Sequence, residues 1–208
     1  PAVTTIVLST GVNRMSKQKA VVKKLSSVET LGSTTVICTD KTGTLTENKM
    51  KTERISANGE DYSVQEKYPT NLGTRRLLEV CYFANDSDIE DGHAYGDPTE
   101  IALLEIALHL DKEWRPIRRS RLDEIPFDSN RKMMSTVHRL EEKKIMYTKG
   151  AFESVIQRCT QIVHDDKVIP LQCDLRKIYT EKVLEWSQSG YRVLAAAYRE
   201  NPTETIEE

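Results

Sequence analysis

A run of β-branched and small residues, Thr34-Thr35-Val36-Ile37-Cys38-Thr39, ends in one carboxylate, Asp40, and the hydroxyl-rich turn Lys41-Thr42-Gly43-Thr44-Leu45-Thr46 follows at once. No other stretch constrains the fold as much. β-Branched side chains favour extended backbone, so the run predicts a short buried strand that begins after Gly32. Asp40 then stands at the carboxyl end of that strand, where open α/β sheets bind their ligands. Gly43 lets the chain turn without a Cβ in the way, so main-chain N–H groups can converge on an anion. A phosphate held there lies beside Asp40, whose carboxylate is a nucleophile for the terminal phosphoryl group of a nucleotide. Mg²⁺ would neutralise the charge between them, with Lys41 and the hydroxyls of Thr42 and Thr44 close to the oxygens.

Read alone, Asp-Lys-Thr-Gly is a polar turn after a strand, a common arrangement. The string from 40 to 46, however, resembles the phosphorylation signature of the P-type ion-pumping ATPases letter for letter. That resemblance implies that Asp40 becomes an aspartyl phosphate, with Lys41, Thr42 and Thr44 as its catalytic neighbours. It also implies that Asp40 and Thr42 bind Mg²⁺, the remaining ligands lying outside this chain. Thr42 narrows the reaction class. Phosphatases of the similar haloacid-dehalogenase-like superfamily usually carry a second Asp two residues after the nucleophile as general acid and base, and a threonine cannot fill that role. A phosphoenzyme that persists is the expected consequence, and it suits a pump that must hold chemical energy while it changes shape.

At 208 residues the chain can hold one large or two small domains, and its 38% hydrophobic and 30% charged content is that of a globular protein. A net charge of −2 gives no electrostatic reason to expect nucleic acid or an anionic membrane as partner. Cys38, Cys81, Cys159 and Cys173 form no CxxC pair, which argues against a structural zinc site or a disulfide framework and for reduced thiols. The apolar opening, residues 1–12, is shorter than the ~20 residues a membrane helix needs. Taken alone it reads as a core helix or a frayed terminus. Beside the phosphorylation signature it resembles the cytoplasmic end of a pump's fourth membrane helix, followed by the basic residues Arg14, Lys17, Lys19, Lys23 and Lys24. The expectation is a fragment of a larger membrane protein, on its cytoplasmic side.

After Met50 the periodicity predicts alternating helices and short strands. One helix runs from residue 74 to about 85, and a second starts at Asp97, where Asp97-Pro98-Thr99-Glu100 supplies an N-cap, a first-turn Pro and a capping-box acid. Strands are expected at 121–127, 133–140, 144–148 and 162–169, the last bent by a turn at Asp165-Asp166. Helices at 152–159 and 175–189 and a closing strand at 191–198 complete the list, and residues 59–74 carry the weakest signal. The order is α+β with antiparallel neighbours.

Several short motifs in this part occur in the order that the P-type pumps use them, so the resemblance covers nearly the whole chain. Gly96-Asp97-Pro98-Thr99-Glu100 looks like the acidic motif of the family's nucleotide domain, whose Glu approaches the adenine amino group; this implies a base contact for Glu100, which the capping box also explains. In the family's pattern Phe127 stacks on the adenine ring and Lys132 follows, within Pro126-Phe127-Asp128-Ser129-Asn130-Arg131-Lys132-Met133. Stacking on a flat aromatic stabilises a base by ~1–3 kcal/mol. Lys149-Gly150-Ala151 matches the pattern in which Lys lines the pocket and Gly permits close approach of the base, although Phe152 stands where the family usually has Pro. Gly190-Tyr191-Arg192 resembles the segment whose Arg contacts the nucleotide phosphates, a role that suits the fixed donors of a guanidinium.

These resemblances imply an α+β nucleotide-binding domain, an antiparallel sheet with flanking helices, inserted into an incomplete α/β haloacid-dehalogenase-like phosphorylation domain. The implied divisions are 1–15 for the end of a membrane helix, 16–50 for the first part of the phosphorylation domain, 51–200 for the nucleotide domain and 201–208 for a return linker. Hinge closure near Met50 and Asn201 would deliver the terminal phosphate of ATP to Asp40. The implied partners are ATP and the rest of the pump: actuator domain, remaining phosphorylation domain and membrane helices. The transported cation, most simply Ca²⁺ and otherwise Na⁺ or another cation, binds outside this fragment, which alone is not expected to turn over. A soluble phosphotransferase of the same superfamily and a nonenzymatic nucleotide-binding module are the other readings.

Overall fold

The computed structural model describes residues 2–65, 69–108, 121–140 and 142–202. They form two compact units, residues 1–48 and 49–208.

The first unit holds helices α1 (Ala2–Lys17) and α2 (Ser26–Gly32) and the turn Lys41–Leu45. None of its described residues is buried. The strand expected at 34–39 does not form: the segment pairs with no other strand among the described residues, and Val36 and Ile37 are 73% and 78% exposed. β-Propensity describes fit to a neighbouring strand and a covered face, and here the run has neither. No helix among the described residues is long and apolar enough to cross a membrane.

The second unit is built on a four-stranded antiparallel sheet. Its strands are β5 (Arg121–Asp128), β6 (Met133–Leu140), β7 (Lys143–Ala151) and β10 (Leu194–Glu200), in the order β10-β7-β6-β5. Helices α3 (Leu72–Phe83) and α4 (Pro98–Ala107) pack on each other, and α3 packs on β7 and β10. Asn71 caps α3: its Oδ1 accepts from Thr74 N–H at 2.8 Å while its own N–H donates to Thr74 Oγ1 at 3.0 Å. This reciprocal box starts the helix two residues before the expected position. Phe83 and Tyr147, both fully buried, stack with centroids 5.1 Å apart and rings within 13° of parallel. His138 completes the cluster 4.9 Å from Phe83, and the Phe83 carbonyl accepts from Thr136 Oγ1 at 3.2 Å.

Helix α5 (Phe152–Ile156) follows β7, and helix α6 (Cys173–Gln188) comes later in the chain. Arg176 of α6 donates to the carbonyls of Ile156 and Cys159, which satisfies the C-terminal end of α5.

Three two-stranded hairpins complete the unit: β1 (Arg54–Ala57) with β2 (Glu60–Ser63), β3 (Asp88–Glu90) with β4 (His93–Tyr95), and β8 (Gln161–His164) with β9 (Lys167–Pro170). The sequence periodicity predicts neither of the first two. The third replaces the single bent strand at 162–169, because Asp165 and Asp166 both take positive φ and reverse the chain. Asn58-Gly59 and Asp91-Gly92 do the same, with φ of 58° and 90°, and 50° and 79°. Two-residue loops with both central φ values positive match the right-handed twist of the strands they join.

Candidate functional site

The register of the main sheet brings most of the expected nucleotide residues to one end of it. Asp128 pairs with Met133, Met133 with Gly150, and Gly150 with Ala195. Phe127, Lys132, Lys149 and Gly150 therefore lie within a residue of that row on successive strands, and Arg192 is two residues before β10.

Phe127 is turned out of the ladder by its own strand. Between Ile125 and Asp128 the β5–β6 register breaks, and Pro126, which has no N–H to donate, sits in the break on the edge strand. Phe127 is left 63% exposed, an aromatic face free for a planar ligand. Lys132 closes the β5–β6 connection at φ 57°; its carbonyl accepts from Ala151 N–H at 2.8 Å and its side chain is exposed. Gly150 has a packing reason to lack a side chain, since a Cβ there would stand 2.4 Å from the Lys132 carbonyl and 2.3 Å from Met133 Cβ. Phe152 takes the first position of α5, where a Pro also fits, so the departure from the family pattern leaves the turn intact.

Glu100 and Lys149 meet directly. Lys149 Nζ stands 2.7 Å from Glu100 Oε1, with side chains 10% and 17% exposed. Glu100 does not form the expected capping box. Asp97 caps α4 by accepting from Thr99 N–H at 2.8 Å and Glu100 N–H at 3.4 Å. The Glu100 carboxylate reaches instead to Lys149, to Asp86 N–H at 3.0 Å and to Ser87 Oγ at 3.4 Å. A nearby cation and a ring of donors offered a better-covered site than the exposed helix end. Burial works to raise the Asp97 carboxyl, but its N–H donors, the Thr99 hydroxyl and the charge of Arg192 together hold it below the usual carboxylate value. Arg192 is otherwise exposed. Burial pushes the Cys81 thiol up to about 12 against the opposing charge of Lys149.

Lys149 and Arg192 also line a cavity of about 1330 Å³, together with Met133, Thr148, Phe152 and Trp186; Glu100, Phe127, Lys132 and Gly150 are not among its lining residues. The structure thus joins Glu100 to Lys149, aligns Phe127, Lys132 and Gly150 with them at the sheet end, and leaves Arg192 near Asp97.

In the first unit, Asp40 is extended (φ −68°, ψ 145°) and its Oδ1 accepts from Thr42 N–H at 3.3 Å, which holds the carboxylate against its own turn. Gly43 takes φ 73°, and the turn closes when Thr46 N–H donates to the Lys41 carbonyl at 3.1 Å. Lys41, Thr42 and Thr44 are exposed. Mg²⁺ takes about six oxygen ligands. Asp40 and Thr42 offer hard oxygen donors of the right kind, and among the described residues no group of three or more His, Cys, Asp or Glu could hold a metal. The donors present fit part of such a set and not the whole of it.

Sequence reasoning missed Asn85, Ser87 and Arg121, which surround the Glu100 carboxylate and its loop. Their only signal is an Asn directly after the apolar face of α3, a common way to end a helix.

Comparison with known proteins shows the family. Residues 73–208 match the family model described as P-type ATPase, cytoplasmic domain N. A calcium-transporting ATPase of Listeria monocytogenes is 42% identical over 212 residues, which cover 99% of this chain and 24% of that protein. Calcium-transporting ATPase 1 of Bacillus cereus is 39% identical over 210 residues, 100% of this chain and 24% of its own length. The human calcium-transporting ATPase type 2C member 1 is 35% identical over 220 residues, 95% of this chain and 24% of its own length. The chain belongs to the P-type ATPases, and it spans about a quarter of the length of these relatives.

Proposed function

We propose that this chain is the ATP-binding and phosphoryl-accepting part of a P-type pump that moves a cation, most simply Ca²⁺, across a membrane from its cytoplasmic side. The observation that carries the reading is the end of the main sheet. There a largely covered carboxylate–ammonium pair, Glu100 and Lys149, shares the sheet end with an exposed aromatic, Phe127, two strands away, and with Lys132 at the strand turn between them. An adenine base needs a flat face and a polar partner for its amino group, and a triphosphate needs cations; this chain supplies each. The choice of Ca²⁺ follows the similar proteins, which are calcium-transporting ATPases.

In this reading Phe127 stacks on the base, Glu100 accepts from its amino group, and Lys132, Lys149 and Arg192 face the phosphates or the pocket wall. Gly150 keeps the sheet end low enough for the base to approach. Asp40 takes the terminal phosphoryl group, with Lys41 and Thr44 near its oxygens. Mg²⁺, when bound, neutralises phosphate charge, and Asp40 and Thr42 would hold it together with ligands from the remaining phosphorylation domain. The nucleotide unit is then an insertion in a haloacid-dehalogenase-like domain, and the actuator domain and membrane helices of the parent pump are its partners. Because the residues present supply only part of a Mg²⁺ ligand set, the chain should bind ATP yet phosphorylate itself poorly.

An ATP titration followed residue by residue by NMR tests the proposal, with Lys149→Ala as control. Saturable shifts at Glu100, Phe127, Lys132, Lys149 and Arg192, weakened about 10-fold or more in the control, are expected for the loss of one charged contact. No saturable shift in a folded sample would overturn the nucleotide assignment.

A further inference from the structure

The loop after α3 is organised by a buried amide that belongs to none of the motifs discussed above. Asn85 is 1% exposed, and both polar atoms of its side chain are engaged. Its Nδ2 donates to the Cys81 carbonyl at 3.0 Å and to the Glu100 carbonyl at 2.9 Å, which ties the end of α3 to the first turn of α4. Its Oδ1 accepts from Ser87 N–H at 2.9 Å. That bond folds residues 85–87 into a tight turn, and the turn aims the intervening amide: Asp86 N–H donates to Glu100 Oε2 at 3.0 Å. The Ser87 hydroxyl approaches the same oxygen at 3.4 Å. From outside, Arg121 clamps the loop by donating to the Asn85 carbonyl at 3.0 Å and pairing with Asp86 Oδ1 at 2.8 Å.

The two oxygens of Glu100 are therefore unequal. A carboxylate oxygen accepts about two hydrogen bonds. Oε2 accepts from Asp86 N–H and lies beside the Ser87 hydroxyl, which is shared with the Asp97 carbonyl at 3.5 Å, while among the described residues Oε1 accepts from Lys149 alone. An acceptor position remains on the oxygen next to the ammonium. If the loop were loose, the carboxylate could rotate, and that position would no longer have a fixed direction.

We infer that Asn85 is a positioning residue which, by holding Asp86 N–H on Oε2, reserves Oε1 for the exocyclic amino group of the bound base and so sets a preference for 6-aminopurine over 6-oxopurine nucleotides. The inference rests on the nucleotide reading above. A 6-amino group donates to Oε1. A 6-oxo group brings a second acceptor to the same place and leaves both oxygens without a hydrogen between them. The discrimination depends on a fixed carboxylate, and Asn85 supplies the fixing without touching the nucleotide.

The test is calorimetric titration of this chain with ATP and with inosine triphosphate, which differ at the purine 6-position, amino donor against oxo acceptor, and with it at N1, acceptor against N–H donor. For the unaltered chain ATP should bind about 10-fold or more tightly, since a hydrogen bond to a charged group is the difference. In Asn85→Ala the ATP affinity should fall while that for inosine triphosphate changes little, so that the ratio drops to about 2-fold or less. Arg121→Met loosens the same loop from the surface and should lower the ratio about 3-fold. It decides the question if the amide spectrum shows Asn85→Ala to be unfolded. A merely structural role would weaken both nucleotides alike, so an unchanged ratio in the folded variants overturns the inference. If the unaltered chain binds both equally and Lys149→Ala weakens both, the nucleotide reading stands and this inference fails. Binding of neither removes the nucleotide reading first, and the inference with it.

Discussion

No described residue up to Asn48 is buried, whereas the unit that follows closes around Phe83, Leu104, Met133 and Tyr147, each at 0% exposure. The contrast runs opposite to the strength of the sequence signals. The first unit carries the most specific motif in the chain, yet its strand-forming run stays unpaired. The second carries short motifs that are weak one by one, yet it builds a sheet, a capped helix pair and a core. A carboxylate and its turn need only local geometry: Asp40 is oriented by an N–H two residues away, and Gly43 by its own φ. The cluster at the sheet end needs residues distant in sequence to meet, and only a self-supporting fold does that.

Phe83→Ala should break this contrast most visibly. Removing a fully buried ring costs about 3–5 kcal/mol, so chemical denaturation should show the second unit unfolding at a much lower denaturant concentration. Amide shifts of residues 2–48 should not move; if they collapsed together with the core, the division into two units would be wrong. A smaller loss is expected from Glu79→Gln. Glu79 is almost wholly buried and accepts from Arg75, from Arg76 at 2.7 Å and from the Tyr147 hydroxyl at 3.3 Å, so removing its charge should cost about 1–3 kcal/mol in the same assay.

Acid should act on the second unit through two helix and turn carboxylates. Asp128 is lowered by the N–H groups of Arg131 and Asn130, and Asp97 by its cap donors despite the opposing effect of burial. Because both folded values lie below the unfolded ones, their contribution is present above the ordinary Asp value of about 3.9 and is lost as pH falls through the lowered values. The stability of the Asp97→Asn, Asp128→Asn double variant should therefore change less between neutral pH and pH ~3 than that of the unaltered chain, as thermal melts would show. The smallest effect is expected at Asp40. Asp40→Asn should leave stability within about ±0.5 kcal/mol and ATP affinity unchanged, since the residue is exposed and sits in the other unit. A loss of ATP binding in that variant would show that the two functions are not separable as described.

Much of the second unit was readable in advance. The strands at 121–128 and 133–140, the start of α4 at Asp97 and the end of α6 before Gly190 each follow from a local rule of alternation, capping or helix termination. The hairpins at 54–63 and 88–95 were equally readable, because Asn58-Gly59 and Asp91-Gly92 are the strongest short turn signals a sequence offers; the weak apolar alternation around them hid the pattern. The strand at 34–39 shows the reverse error, a correct propensity with nothing to pair against.

By itself the sequence determined the residue types at the sites: a carboxylate before a glycine turn at 40–46, an acid in the first turn of a helix at Glu100, an aromatic after a proline at Phe127 and a lysine before a glycine at Lys149. Local rules suffice for these because each depends on a few neighbouring φ/ψ angles. Only the tertiary structure decided that Glu100 leaves the helix end for Lys149, that the break at Pro126 turns Phe127 outward, and that Asn85 holds the loop which occupies one oxygen of Glu100. Those outcomes depend on sheet register and on competition among buried donors for one carboxylate, and both are set by residues far apart in the chain.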